Sequence, residues 1–264
     1  MSSKKSKAHG ICKLTGDEGP FVKSHLLPRA LTRLSLTGEK LVEAQLDQRP
    51  IRRADSWYDQ RLVTRHGEDI LEAIDTRGIE ALRRHRLIWS GWDDLSDVNP
   101  GDQARMLAFG DPGCLQLFFL SLVWRAAASQ LKEFRHVTLE HAVVEDLRVR
   151  VESQEPGDFR DYPIFLYQII SKAPPHNRTP LLETNDEFPD EDGAMISVPF
   201  VRIYLDGLVA HVHVAGDRRL HSELLRACAI SGGAPETIVF TYRFEESRTQ
   251  MDIATLFQNQ SRRR

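Results

Sequence analysis

Cysteine is scarce: the 264 residues hold three, Cys12, Cys114 and Cys228, and no Cys-x-x-Cys pair. Neither a disulfide framework nor a complete four-ligand zinc ribbon can be written from them, and a reducing cytoplasm is the natural expectation. Charge of one sign is missing too. Lys plus Arg is 35 against 38 Asp plus Glu, a net charge of -3, so the chain lacks the global positive field of proteins that coat nucleic acid. Any such surface must be a local patch. The longest apolar run, CLQLFFLSLVWRAAA, is interrupted by Gln116, Ser121 and Arg125 and is shorter than the roughly 20 residues of a membrane span. It predicts a central buried helix and no membrane partner. The basic start MSSKKSKAHG is followed by no apolar signal-peptide core. GDPGC lacks the Gly-Lys-Ser/Thr ending of a P-loop, and neither Gly-x-Gly-x-x-Gly nor Gly-x-Ser-x-Gly occurs, so no nucleotide cofactor is expected and no hydrolase elbow is supported.

What is present predicts an α+β fold, with a small N-terminal hairpin and helices first and an antiparallel sheet later. Residues 1–10 read as a flexible basic tail, 11–92 as a hairpin followed by an Arg-rich helical region, 93–258 as a helical core with the sheet, and 259–264 as a second basic tail. Two short apolar pieces flank the turn TGDEGP, and Ser24 is placed to cap a helix beginning near Pro28. Residues 48–92 read as helical, with stripes at Ile70, Leu71 and Ile74 and at Ile79 and Leu82. A further helix carries Leu139, Val143, Leu147 and Val151 at four-residue spacing. YPIFLYQII and ETIVFTYRFEE read as strands, and SRTQMDIATLF as a terminal helix from Ser247. The clearest local signal is VPFVRIYLDGLVAHVHVAG, two alternating runs around Asp206-Gly207, the residue pair of a two-residue hairpin turn. That register puts Leu205 opposite Leu208, Ile203 opposite Ala210 and Val201 opposite Val212 on one apolar side.

The stretch GICKLTGDEGPFVKSHLLPRALTR, with CKLTG followed by VKSHLLPRAL, resembles uncharacterised bacterial proteins that carry a Cys-x-x-Cys knuckle and then Ser-His-Ile-Ile-Pro, a group distantly related to HNH, or treble-clef, endonucleases. The likeness to that wider class covers about the first tenth of the chain. It implies a nucleic-acid-associated protein, DNA or RNA being the partner, of the kind found in phage-defence or mobile-element settings. It also implies a divalent metal, magnesium or zinc, and, by position in the motif, His25 as the general base that activates water against a phosphodiester. Cys12 would be a remnant zinc ligand. Thr15 stands where the second knuckle cysteine belongs, no later Cys-x-x-Cys follows, and no asparagine occurs between His25 and Asn99. His25 is therefore read either as a base or as a structural histidine, Ser24 as a cap, and Cys12 as a small buried residue.

Two other groups could carry function. His211 and His213 point the same way from a strand and could share a metal with His176 or Asp190. The same face, with Phe200, Arg202 and Tyr204, could instead stack on and pair with a nucleotide, or dock another protein in a non-catalytic binding or assembly role. Arg29, Arg52, Arg53, Arg61 and Arg65 belong to an arginine-rich stretch that could meet phosphate, although interspersed acids at helical spacing can neutralise it. Trp57, Tyr58, Trp89 and Trp92 read as packing residues.

Overall fold

The computed structural model describes residues 8–31, 41–44, 51–53, 56–92, 103–171, 176–184, 187–214 and 220–246. Residues 1–7 of the expected tail, the second tail and the helix expected from Ser247 lie outside them, as do the side chains of Arg52, Arg53 and His176, while His9 and Gly10, expected in the tail, belong to a strand. In chain order the elements are β1 (His9–Ile11), β2 (Glu18–Pro20), β3 (Ser24–His25), β4 (Leu41–Ala44), β5 (Ile51–Arg53), β6 (Tyr58–Asp59) and α1 (Arg65–Arg84), then β7 (Ala104–Leu107), α2 (Pro112–Ala128) and α3 (His141–Ser153). The second half holds β8 (Ile164–Ile169), β9 (His176–Arg178), β10 (Leu181–Glu183), β11 (Glu187–Pro189), β12 (Met195–Ser197), β13 (Phe200–Leu205), β14 (Leu208–His213), α4 (Ser222–Cys228) and β15 (Thr237–Tyr242). This is a mixed α+β fold.

Its spine is a six-stranded sheet ordered β10-β13-β14-β8-β15-β7, antiparallel except for the parallel β8–β15 pair. The hairpin register matches expectation: Leu205 pairs with Leu208, Ile203 with Ala210 and Val201 with Val212. These residues pack under α2, in which every residue from Leu115 to Ala126 is buried, the polar Gln116, Ser121 and Arg125 among them. Helix α1 begins after Thr64 and turns Gly67, Leu71, Ile74, Gly78 and Leu82 inward at spacings of three and four. Glycine at 78 lets α1 and α2 meet closely, since a Cβ there would lie 2.4 Å from Phe118 Cγ. One apolar cluster joins Cys12, Leu14, Trp57 and Leu71 to Phe118, Leu166 and Val201, so the core runs across residue 92.

Three local expectations change. Residues 48–64 are not helical where described: they supply β5 and β6, and the helix starts at Arg65. Ser24 is no cap but a strand residue of β3, and Arg29–Leu31 form a single 3₁₀ turn after Pro28. The far side of the β13–β14 hairpin, expected to face a nucleotide or a partner, is covered. Phe200, Tyr204, Val209 and His213 are buried beneath aromatic residues and the segment carrying β11, β12 and α4.

Candidate functional site around His25

Strand β3 is short and pairs antiparallel with β6, Ser24 opposite Asp59 and His25 opposite Tyr58. The pairing is extended when Leu26 N–H donates to Trp57 O at 3.0 Å. Successive strand residues point to opposite sides. Ser24 and Leu26 are buried, whereas His25 between them is only half-buried, its ring 6.1 Å edge-on from Tyr58. Tyr58 is 40% exposed, and the Lys23 ammonium sits 4.0 Å from its ring centroid. Lys23, His25 and Tyr58 thus make one surface of a cation, an imidazole and an aromatic ring. The reading of Tyr58 as packing is corrected by its exposure; Trp57, Trp89 and Trp92 are buried as expected.

Behind that surface lies a charged layer. Arg125 projects from the last turn of α2 and is 1% exposed. Its guanidinium donates to Asp75 on α1 at 2.5 and 3.0 Å, to Ser121 Oγ at 3.0 Å and to the His25 carbonyl at 3.2 Å. One side chain therefore fixes the His25 strand to both long helices. Glu68, in the first turn of α1, is pushed above the ordinary carboxyl range by burial and in part by Asp75, against the opposing pull of Ser24 and Arg125. The Ser24 hydroxyl lies near enough to favour the charged carboxylate without closing a hydrogen bond of ordinary geometry. Ser24 Oγ and Glu68 Oε2 are buried with no hydrogen bond of ordinary geometry among the described residues.

Residues 12–17 form a tight turn. Gly16 N–H donates to Cys12 O at 2.9 Å, Cys12 N–H donates to Asp17 O at 2.8 Å, and Gly16 takes φ +74°. Cys12 is buried against the start of α1, where a Cβ on Gly67 would come within 2.8 Å of Sγ. Burial pushes the thiol up, but hydrogen bonds from Thr15 and Thr64 outweigh it and leave Cys12 below its ordinary value. Tetrahedral zinc takes four Cys or His ligands, while Cys12 is ringed here by Thr15, Thr64 and Gly67. The residues do not fit zinc.

The strand histidines share a side, as alternation demands, but that side is aromatic. His211 stacks on Phe200 at 4.2 Å and tilts against Tyr167 at 4.5 Å, and His213 is enclosed by Phe165, Phe188 and Phe200 at 5.0, 5.3 and 5.6 Å. Asp190 instead accepts N–H bonds from Asp192 and Ala194 within its own turn. Among the described residues no three His, Cys, Asp or Glu side chains are grouped to hold one metal ion. Arg202 pairs with Glu183 at 3.2 Å, both largely buried, and Tyr204 is 4% exposed with its hydroxyl accepting from Gly207 N–H, so neither offers a stacking surface. Of the N-terminal arginines, Arg29 and Arg61 are exposed, while Arg65 is tied to Asp69 and Glu72 as the helix-spaced neutralisation predicts.

Lys23, Glu68, Asp75 and Arg125 are the site residues that sequence reasoning missed. A signal existed for Arg125, because a charge inside an apolar helix must find a partner. Glu68 reads only as a first-turn acid favoured by the helix dipole.

At the rim, His66 Nδ1 meets Asp17 Oδ2 at 2.7 Å, tying α1 to the β1–β2 turn. The hydrogen bond to Asp17 raises the pKa of His66. A raised histidine contributes stability that is fully present below its unfolded pKa of about 6.5 and lost as pH rises through the folded value. An NMR titration should therefore give His66 a midpoint above 6.5, falling back towards it in Asp17→Ala. A wild-type midpoint at or below that value would mean the pair does not form.

Comparison with known proteins gives no match: no family model, curated protein or solved structure aligns significantly with the chain. Among the described residues no helix is long and apolar enough to cross a membrane.

Proposed function

We propose that this chain is an HNH-like, nucleic-acid-binding protein whose contact surface is the Lys23–His25–Tyr58 patch. The observation that carries the reading is the exposed Tyr58 ring with the Lys23 ammonium 4.0 Å from its centroid and the His25 imidazole edge-on to it. An exposed aromatic accepts a nucleobase by stacking, and an adjacent cation pairs with phosphate. Arg61, exposed and three residues beyond Tyr58, extends the basic character along the same segment. Because one carboxyl and one imidazole are a thin donor set for a metal, the reading rests on binding. Hydrolysis by His25 is the outcome that a cleavage assay decides.

Fluorescence anisotropy with labelled single-stranded and duplex DNA and RNA tests it. Tyr58→Ala is expected to weaken binding by about 1–3 kcal/mol, the worth of one stacked base. Lys23→Ala should flatten the salt dependence by about 0.7–0.9 in the slope of log K against log salt, one phosphate contact. A wild-type protein that binds none of the probes at low salt, or a Tyr58→Ala protein that binds equally well, refutes the proposal. The same oligonucleotides incubated with Mg²⁺ or Mn²⁺ report cleavage, and loss of cleavage in His25→Ala would make the protein a nuclease.

A further inference from the structure

A concave site lies away from the His25 patch, where the C-terminal half of α1 faces the start of α2. It is a cavity of about 150 Å³ lined by Arg77, Glu80, Arg84 and His85 on one side and by Phe109, Asp111 and Cys114 on the other. Drug-sized ligands occupy roughly 300–1,000 Å³, so this cavity suits a group of a few atoms. We infer that it binds a phosphate-sized oxyanion, held by the guanidinium groups of Arg77 and Arg84.

The charge pairing of the arginines carries the inference. Arg65, Arg125, Arg148 and Arg150 each hold a carboxylate. Arg77 instead meets only the neutral Gln154 amide, at 2.8 Å, and Arg84 has no hydrogen bond or ion pair among the described residues. The two stand seven residues apart on α1 and line the same cavity, which is the convergence an oxyanion needs. Glu80 lies between them at helical spacing yet pairs with neither. The Asp111 carboxylate is turned onto Cys114 N–H at 3.0 Å as the cap of α2. Burial first, then Arg84 and Arg105, hold His85 below the ordinary imidazole range, which keeps it a neutral hydrogen-bonding group beside the arginines.

The cavity contains its own reporter. Cys12 and Cys228 are buried, so Cys114 is the accessible thiol of the folded chain. Mass spectrometry of N-ethylmaleimide labelling at fixed ionic strength should show inorganic phosphate slowing Cys114 modification in a saturable manner. Arg84→Gln should raise the half-protecting phosphate concentration about tenfold, the loss of one charge-assisted contact. Glu80→Gln, which removes a rim carboxylate, should lower it. An adenosine monophosphate arm separates the sources: protection at lower concentration than phosphate assigns the oxyanion to a nucleotide, and equal concentrations assign it to the free ion. Labelling that phosphate does not slow, or protection that Arg77→Gln and Arg84→Gln leave intact, overturns the assignment.

Discussion

Arg125→Met should destabilise the protein by about 3–5 kcal/mol in urea unfolding, the cost of breaking a buried ion pair from one side. Methionine fills the stem of the arginine but leaves the Asp75 carboxylate facing α2, and it strips the donors from Ser121 Oγ and the His25 carbonyl. The loss then lies in stranded polar groups rather than in a vanished attraction. That distinction has a test. Arg125→Met combined with Asp75→Leu removes both charges, and the double variant should recover much of the lost stability. A single variant that costs less than about 1 kcal/mol would show that the pair is solvated and structurally idle. Because the same guanidinium holds the His25 carbonyl, the single variant should also speed amide exchange in β3 and weaken the nucleic-acid binding proposed for Lys23–His25–Tyr58, although Arg125 is itself buried and cannot touch a ligand.

Arg125 also marks where the sequence is readable and where it is not. A charge in a run such as LSLVWRAAA announces a buried partner, but nothing in the run names Asp75, fifty residues earlier. Helix α2 itself is legible because a predominantly apolar stretch of that length is buried all round. Strands β3 and β6 are not. Each has two residues, too few for a period, and they meet across 33 positions of sequence, His25 opposite Tyr58. Arginine-rich composition then favours a helix over residues that in fact turn and pair. The hairpin face shows the complementary failure. Alternation correctly places Tyr204, His211 and His213 on one side, yet alternation says nothing about what covers that side. Trp89 and Trp92, from the segment after α1, cover Tyr204, while Phe188 of β11, Ile196 of β12 and Leu225 of α4 close the end that carries Phe165 and His213. Tyr58 is missed for the opposite reason, since aromatic residues are usually core and only the β3–β6 pairing turns this one outward.

Gly207→Ala should cost about 2–5 kcal/mol, from two sources that can be separated by experiment. At φ +87° an L-residue pays about 1–2 kcal/mol for the left-handed conformation. A Cβ at this position would also lie 2.4 Å from the indole of Trp89, and overpacking of that kind adds about 1–3 kcal/mol. Gly233 supplies the control. It has nearly the same backbone, φ +85°, but a Cβ there meets nothing within 4 Å, so Gly233→Ala should show the conformational cost alone. The turn cannot move away from Trp89 to relieve the clash. Trp89 N–H donates to Asp206 O at 2.8 Å, Ser90 N–H donates to Asp206 Oδ2 at 2.9 Å, and the Trp89 indole N–H donates to Ile169 O at 3.0 Å. The Asp-Gly turn therefore anchors the segment after α1 to the central sheet, and Gly207→Ala should loosen Trp89 and Trp92 together, visible as a red shift in tryptophan fluorescence. If Gly207→Ala and Gly233→Ala cost the same, Trp89 does not press on the turn and the α1 segment is held by hydrogen bonds alone.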